Sequence, residues 1–529
     1  MRKHLLVALS LFACSLAAAV ETPPVDNPAA RYGQAWTDQI RWNNVVSVAD
    51  MPGDDDLARF NAAKEAVLRK GGGVVYFPPG VYTFTDHLEL AGNVVIRGAT
   101  PTGVTDARDE RYDPPTRFEF PRYIPRMEGE GTPISTAFKG IRLVGSDTAS
   151  NCGTVNISIN RGHIDLPTSQ AGNAGHNRIV LGCVLRNAAV ADPAFPDASI
   201  GQKPWQRYNK SHAGAIRVYG ANLLIANNRL PESGDDNFLQ KGYVLLDRKK
   251  QVITWEEGVL FDYDNREGIQ ANSYGLGGSG HDLPDGTPET HPWGFRKGIV
   301  IRDNYVFCSG RGAIEFSGDG VVCSFNVIRY KPDVLRVTNT GRQLAGGSST
   351  NGNRAVQMRG WRWTVEGNDY EVYRNRTVEK NIYINDGEGL MHEDHANSTV
   401  LDSRLINNKG NAYVSIYACG GINGLLVQGN DIRPEGPGTD KKSSSIFVVA
   451  DRTSIGKREE CRNVSILDNI TSGSGIRISG QPASNNIVRG NRNIGAPGRL
   501  INNADAKLEN NENYEVVTED MSQPRKKTN

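Results

Sequence analysis

The sequence predicts an all-β fold, a single-stranded right-handed parallel β-helix with an N-terminal capping helix and long loop insertions. Three observations carry that expectation. A short phrase, an apolar strand ending in Asn-rich turn residues, recurs along the chain; 58 glycines punctuate it; and one amphipathic helix stands ahead of all the repeats. Each coil of such a solenoid turns sharply between short sheets. Asn or Gly therefore supplies the left-handed backbone at the bend while its neighbours alternate into the core. Stacked Asn side chains then hydrogen-bond from coil to coil, and the coils bury one another's apolar faces.

Taken in chain order, the first element is a leader. Met1-Arg2-Lys3-His4 precedes an apolar run from Leu5 to Ala13 and a small-residue stretch ending at Ala19, the order of a secretory signal peptide over residues 1–19. Leu11-Phe12-Ala13-Cys14 faintly follows a lipoprotein box, and simple cleavage is preferred to lipidation at Cys14. The mature chain is expected outside the cytoplasm, secreted or periplasmic. Next comes the helix: Asp54-Asp55-Asp56 offers N-capping carboxylates, Leu57, Phe60, Ala63 and Val67 recur at helical spacing, and Lys70-Gly71-Gly72-Gly73 ends it. From Val74 to Phe84 the chain reads as strand, Pro-Gly turn and strand. This helix followed by Gly-Gly-Gly-Val-Val-Tyr-Phe-Pro-Pro-Gly-Val-Tyr-Thr-Phe resembles the opening of the pectate-lyase-like superfamily of β-helices, in which a helix caps the first coil. The resemblance implies a carbohydrate-active enzyme.

The repeated phrase appears as Asn222-Leu223-Leu224-Ile225-Ala226-Asn227-Asn228 and returns at 298–304, 424–430, 463–469 and 486–491. Coils are expected near 140–230, 298–330 and 380–495. Irregular insertions rich in Gly, Asp, Arg and Trp are expected at about 240–295 and 331–380, where long loops on a rigid scaffold carry function. Residues 20–514 form one domain in this reading, and the polar tail 515–529 is expected to be disordered. A β-sandwich or propeller is the competing architecture, and the chain has no blade-length repeat or Trp-Asp signature to support it.

A net charge of +1 over 529 residues points to neither nucleic acid nor an anionic membrane surface. No stretch after the leader approaches the roughly 20 apolar residues of a spanning helix. With Cys14 removed, Cys152, Cys183, Cys308, Cys323, Cys419 and Cys461 are too sparse for a disulfide scaffold and are read as buried free thiols. A monomer is expected.

Chemistry is expected where polar clusters follow the strands. Asp235 and Asp236 follow the strand at 222–228, Arg311 follows that at 298–304, and Asp386 and Glu388 follow Ile382-Tyr383-Ile384, with Lys409 a coil further on. If these share one register they converge on one sheet face, a groove for an extended polysaccharide or oligosaccharide. Paired carboxylates there suit glycosidic hydrolysis, in which one carboxyl protonates the leaving oxygen and the other activates water or attacks the anomeric carbon. Glu388 is expected as general acid, Asp386 or Asp236 as base or nucleophile, and Arg311 and His392 as sugar ligands; Glu315, Asp319 and Glu393 lie nearby in sequence. Gly234-Asp235-Asp236 resembles the paired-Asp element of polygalacturonase-type hydrolases, but the Asn-Thr-Asp and Gly-His-Gly elements of that family are missing.

Glu388-Gly389-Leu390-Met391-His392-Glu393-Asp394-His395 is the most chemically loaded segment, with Glu393 and His395 as further substrate ligands, and its spacing matches no metal motif. No cofactor is expected for a hydrolase. In the superfamily's lyases Lys or Arg abstracts a proton beside a uronate carboxylate, a role open to Lys241, Arg311 and Lys409, with Asp235 and Asp236 as Ca2+ ligands. Arg266, Trp293, Arg359, Trp361 and Trp363 are expected as sugar platforms on the insertions, although the Trp residues are equally suited to local cores. A non-catalytic carbohydrate-binding β-helix is the third reading.

Overall fold

The two-residue bends inferred from the Asn-rich phrases organise the whole molecule. The computed structural model describes residues 22–121, 139–144, 149–166, 175–186, 214–231, 297–308, 312–330, 354–372, 399–411, 413–418, 420–434, 444–452, 457–473 and 475–518, with strands at 238–240, 245–246, 252–253, 259–261, 267–272 and 382–384 between them. Among these residues three parallel sheets, here A, B and C, contain 15, 12 and 14 strands. The chain visits A, B and C in turn, and each strand pairs in parallel with its counterpart one coil away, as Ile225 does with Ile301 and Ile301 with Cys323. This is the parallel β-helix that the sequence predicts.

At the A-to-B corner the first bend residue is left-handed: Asn227, Asp303, Gly367, Asn407, Gly429, Asp468 and Gly490 all have φ between 54° and 68°. The second is the ladder residue. Asn228, Asn304, Asn326, Asn368, Asn408, Asn430, Asn469 and Asn491 are fully or almost fully buried. Each donates from Nδ2 to the Oδ1 of the next, at 2.9 or 3.0 Å, ending on Asn511. Each Oδ1 also accepts a backbone N–H from the coil before, and the spare amide hydrogen meets a strand carbonyl, as Asn326 meets Ile301 O at 3.1 Å. A second run, Asn222 to Asn177 to Asn151 to Asn93, lines the C-to-A corner and was not anticipated.

Inside, one row of sheet C runs Ile164, Ile216, Ile269, Ile314, Val356, Ile382, Val414, Ile446 and Ile476, rung by rung. Those whose burial is described are 0 % exposed. Helix α1 (Asp56–Arg69) closes the first coil. The Asp55 carboxylate accepts the Ala58 N–H at 2.7 Å, and Phe60, Ala63 and Val67 are buried against the core. The segment around Trp36 and Trp42 packs onto Val74, Val95, Ile179, Leu224 and Val300, which covers the outer face of sheet A over its first coils.

Two expected insertions resolve differently. Within 331–380, the strands Arg354–Trp361, Thr364–Glu366 and Asp369–Val372 take regular places in sheets C, A and B, so this stretch contains a full coil. Its Arg and Trp content disguised the alternation. Within 240–295, Phe238–Gln240 pairs antiparallel with Val259–Phe261, and Leu245–Leu246 with Val252–Ile253, a hairpin outside the ladder, before Glu267–Asn272 rejoins sheet C. Strand Tyr514–Val517 likewise continues sheet C into the expected tail.

The leader lies outside the described residues. No described helix is long and apolar enough to cross a membrane. Cys152, Cys183, Cys323 and Cys461 are free and buried, and burial pushes the Cys183, Cys323 and Cys461 thiols up to about 12. Native protein should therefore leave these four unmodified by a thiol reagent at pH 8 and expose them on denaturation, as counted by mass spectrometry. Asn326→Ala strands the Asn304 N–H and the Ile301 carbonyl, and should lower the unfolding free energy by about 2–4 kcal/mol in a denaturant titration.

Candidate functional site

Connection lengths single out sheet C. A-to-B corners are two residues long from 156 onward through 491, whereas the connections entering and leaving sheet C include 187–213, 231–266, 273–298, 331–353 and 385–399. Long connections on a rigid scaffold carry function, and here they gather at both edges of one sheet.

Along the strands of sheet C, the residue after each inward Ile or Val forms the next row. In register it reads Arg142, Asp165, Arg217, Gln270, Glu315, Gln357, Tyr383, Ser415, Phe447 and Arg477. Side chains alternate across a strand, so this row belongs to the outer face. Yet Asp165, Glu315, Ser415 and Arg477 are only 5–8 % exposed. These polar groups lie outside the hydrocarbon core and yet are shielded from water.

Two carboxylates on this face are already committed. Asp165 receives two hydrogen bonds from Arg217, at 2.7 and 2.6 Å. Asp319, further along the strand Gly312–Asp319, is held in the same two-pronged way by Arg362, with Lys297 Nζ 3.8 Å away. Such two-pronged pairs fix the geometry of both side chains. Glu315 lies on the same row and has an interaction partner of its own, one strand from Gln270 and one from Gln357. At the N-terminal end of the sheet, Gly140 leaves no side chain between His87 and His163, and their rings meet at 5.6 Å. Burial, with Lys139 beside it, holds His87 below the usual imidazole range.

Against these positions the expected site residues divide. Asp235, Asp236, Lys241, Arg266, Trp293, Arg311, Asp386, Glu388, His392, Glu393 and His395 lie outside the described residues. Connectivity nonetheless corrects the shared register assumed for them. Asp235, Asp236 and Arg311 belong to connections from sheet B to sheet C, whereas Asp386 and Glu388 follow strand Ile382–Ile384 on the way from C to A. Lys409 lies on sheet B itself, 66 % exposed, with Nζ 3.0 Å from Asp369, so it is no part of a sheet C recess. The polar clusters look alike in sequence because every corner needs Gly, Asn or Asp.

The Trp platforms are corrected as well. Trp363 is 0 % exposed within the main core and Trp361 is 2 % exposed, so neither indole offers a face to a sugar. Arg359 falls in register with Ser317 on strand Arg354–Trp361. Asp165, Arg217, Gln270, Gln357 and Tyr383 were missed; aligning the strands on their inward Ile or Val reveals them. Among the described residues no group of three or more His, Cys, Asp or Glu is placed to hold a metal. Trp363→Ala should lower the unfolding free energy by about 3–5 kcal/mol in denaturation, a core defect and not a loss of ligand contact.

No family model matches the chain, and no curated protein matches it. Among solved structures it is similar to the A-module of the mannuronan C-5 epimerase AlgE6 of Azotobacter vinelandii, at 13 % identity over 90 % of this chain and 99 % of that one, with a TM-score of 0.36. DFA-IIIase from Arthrobacter chlorophenolicus A6, in complex with DFA-III, is 14 % identical over 91 % and 86 % of the two chains, TM-score 0.37. A GH87 α-1,3-glucanase catalytic unit from Streptomyces thermodiastaticus is 12 % identical over 90 % and 70 %, TM-score 0.40. At such scores these likenesses carry no weight for the fold or the site, both of which rest on the geometry above.

Proposed function

We propose that the chain is a secreted or periplasmic carbohydrate-active enzyme that cleaves glycosidic bonds of a polysaccharide or oligosaccharide on the outer face of sheet C. One observation carries the reading: Asp165, Glu315, Ser415 and Arg477 lie on the outward face of sheet C yet are only 5–8 % exposed, and long connections enter and leave that sheet. An outward face that mixes charged and amide side chains on a rigid floor suits a hydroxyl-rich ligand read by hydrogen bonds.

Hydrolysis is the favoured reaction. Glu315 serves as one carboxyl, and Asp386 or Glu388 as the other. The chain leaves the sheet at Ile384, two strands from Glu315, and neighbouring strands are about 4.8 Å apart. Asp165 and Asp319, each tied to an arginine, position the floor.

A β-eliminating lyase is the second reading, favoured by the exposed Arg142 in the same row, whose guanidinium group suits a uronate carboxylate. In that case Lys241 or Arg311 is the proposed base, with Ca2+ at Asp235 and Asp236. Residues 20–529, incubated with neutral and uronate-containing polysaccharides, should release reducing ends without absorbance from unsaturated uronates. A rise in that absorbance would replace hydrolysis with elimination, and saccharide binding without turnover would make the chain a binding module. Glu315→Gln should cut kcat/KM by about 100- to 10,000-fold while the melting temperature holds; unchanged turnover removes Glu315 from the mechanism.

A further inference from the structure

A second polar recess lies away from sheet C, where sheet A turns into sheet B. It is a cleft of about 240 Å3 lined chiefly by Arg31, Tyr32, Asp106, Arg108, Arg302 and Asp303. Three parts of the chain build it: the 3-10 turn Ala30–Tyr32, the bend at Asn227 and Asp303, and the connection 99–115, which replaces the usual two-residue corner. That connection is pinned to the solenoid. Asn227 Oδ1 accepts the Ala107 N–H at 2.9 Å, Asn227 Nδ2 donates to Thr105 O at 3.0 Å, and Tyr112 OH donates to Gly182 O at 2.8 Å. The cleft is therefore preformed.

Its charges do not cancel, with three arginines facing two aspartates. Arg108 takes up Asp106 through a two-pronged contact and also reaches Asp303 at 3.3 Å. Arg302 gives only Nε to Asp303, at 3.0 Å, and its terminal nitrogens meet no acceptor among the described residues. Arg31 donates from one terminal nitrogen to Tyr32 OH at 2.8 Å. Both of these guanidinium groups sit over the Tyr32 ring, 4.9 and 5.8 Å from its centre. Planar N–H donors with a surplus positive charge on a rigid wall match a carboxylate.

The rim adds an aromatic face. Phe325 occupies the left-handed bend position, φ 54°, that Asn, Asp or Gly fills at the neighbouring corners, and it is 38 % exposed. A bulky residue in that conformation is strained, and strain of this kind gathers at ligand sites. Its ring leans over Gly367, where an added Cβ would come within 2.6 Å, and lies 5.3 Å from the Arg302 guanidinium. The core gains little from this ring; a ligand gains a stacking surface beside Arg302.

We propose that this cleft is a binding site for a hexuronate unit of an acidic glycan, with the carboxylate on Arg302 and Arg31 and the C–H face of the sugar on Phe325. The volume suits one or two sugar units, below the roughly 300–1,000 Å3 of larger ligand pockets. The site holds a chain end or a side branch, apart from the sheet C recess, and it does not depend on the reaction assigned there. Binding is read without turnover, so a failure of the catalytic reading leaves this proposal standing or falling by itself.

The test is calorimetric titration of residues 20–529 with tetragalacturonate, maltotetraose and inorganic sulfate. Tetragalacturonate should bind and maltotetraose should not. Arg302→Gln should weaken tetragalacturonate at least about tenfold with an unchanged melting temperature. Phe325→Asn should weaken it several-fold while raising the melting temperature, because Asn tolerates the left-handed bend. Glu315→Gln, on sheet C, should leave this affinity intact. No binding by the parent chain, equal binding of the neutral sugar, sulfate binding as tight as the uronate, or an unaltered affinity in Arg302→Gln would each overturn the assignment.

Discussion

The architecture depends on one repeated interaction, the side-chain amide of a buried Asn bridging two coils at the A-to-B corner. A sharp bend leaves backbone groups that the sheets cannot pair, and a buried unpaired N–H or C=O costs as much as a lost hydrogen bond. The ladder amide satisfies several of these groups at once: that of Asn304 accepts the Asn228 N–H from the coil before, donates to the Ile225 carbonyl and donates to the Asn326 amide. The left-handed residue ahead of it makes the bend tight enough for that reach. Sheet register, the inward row from Ile164 to Ile476, and the outward row on sheet C all inherit their alignment from this corner.

That corner is also why so much of the fold was legible. Asn227-Asn228, Asp303-Asn304, Gly429-Asn430, Asp468-Asn469 and Gly490-Asn491 state the rule openly, because the left-handed position admits few residue types and the ladder position only one that can both donate and accept. Helix α1 was legible for a similar reason, its cap and core face being fixed by local physics. Strands such as Arg354–Trp361 were hidden because strand pairing tolerates almost any side chain on the outer face, so an Arg- and Trp-rich strand reads as a loop.

The candidate site was less legible, and the cause is physical. Corners between B and C, and between C and A, also need turn residues, so Asp236, Arg311, Glu388 and Lys409 looked equivalent while belonging to different sides of the coil. Only the pairing of whole strands separates them. Once the inward Ile and Val residues are set in line, the row containing Asp165, Arg217 and Glu315 follows without further assumption. Trp361 and Trp363 show the reverse error, since a large aromatic beside arginines is read as a ligand face and here fills space.

The two-residue corner has a consequence for how such a chain diversifies. Adding residues there separates neighbouring amides and breaks the ladder, whereas the other two corners carry only short Asn runs among the described residues, such as Asn222 to Asn93, and lengthen elsewhere. In this molecule the one long A-to-B connection, 99–115, comes before the ladder begins at the Cys183 N–H. The ladder thus acts as a fixed spine with two editable margins. Loop grafts, affinity tags or whole guest domains inserted at the margins of sheet C leave the pitch of the solenoid untouched, which makes this scaffold separable into a part that sets geometry and a part free to change what is recognised.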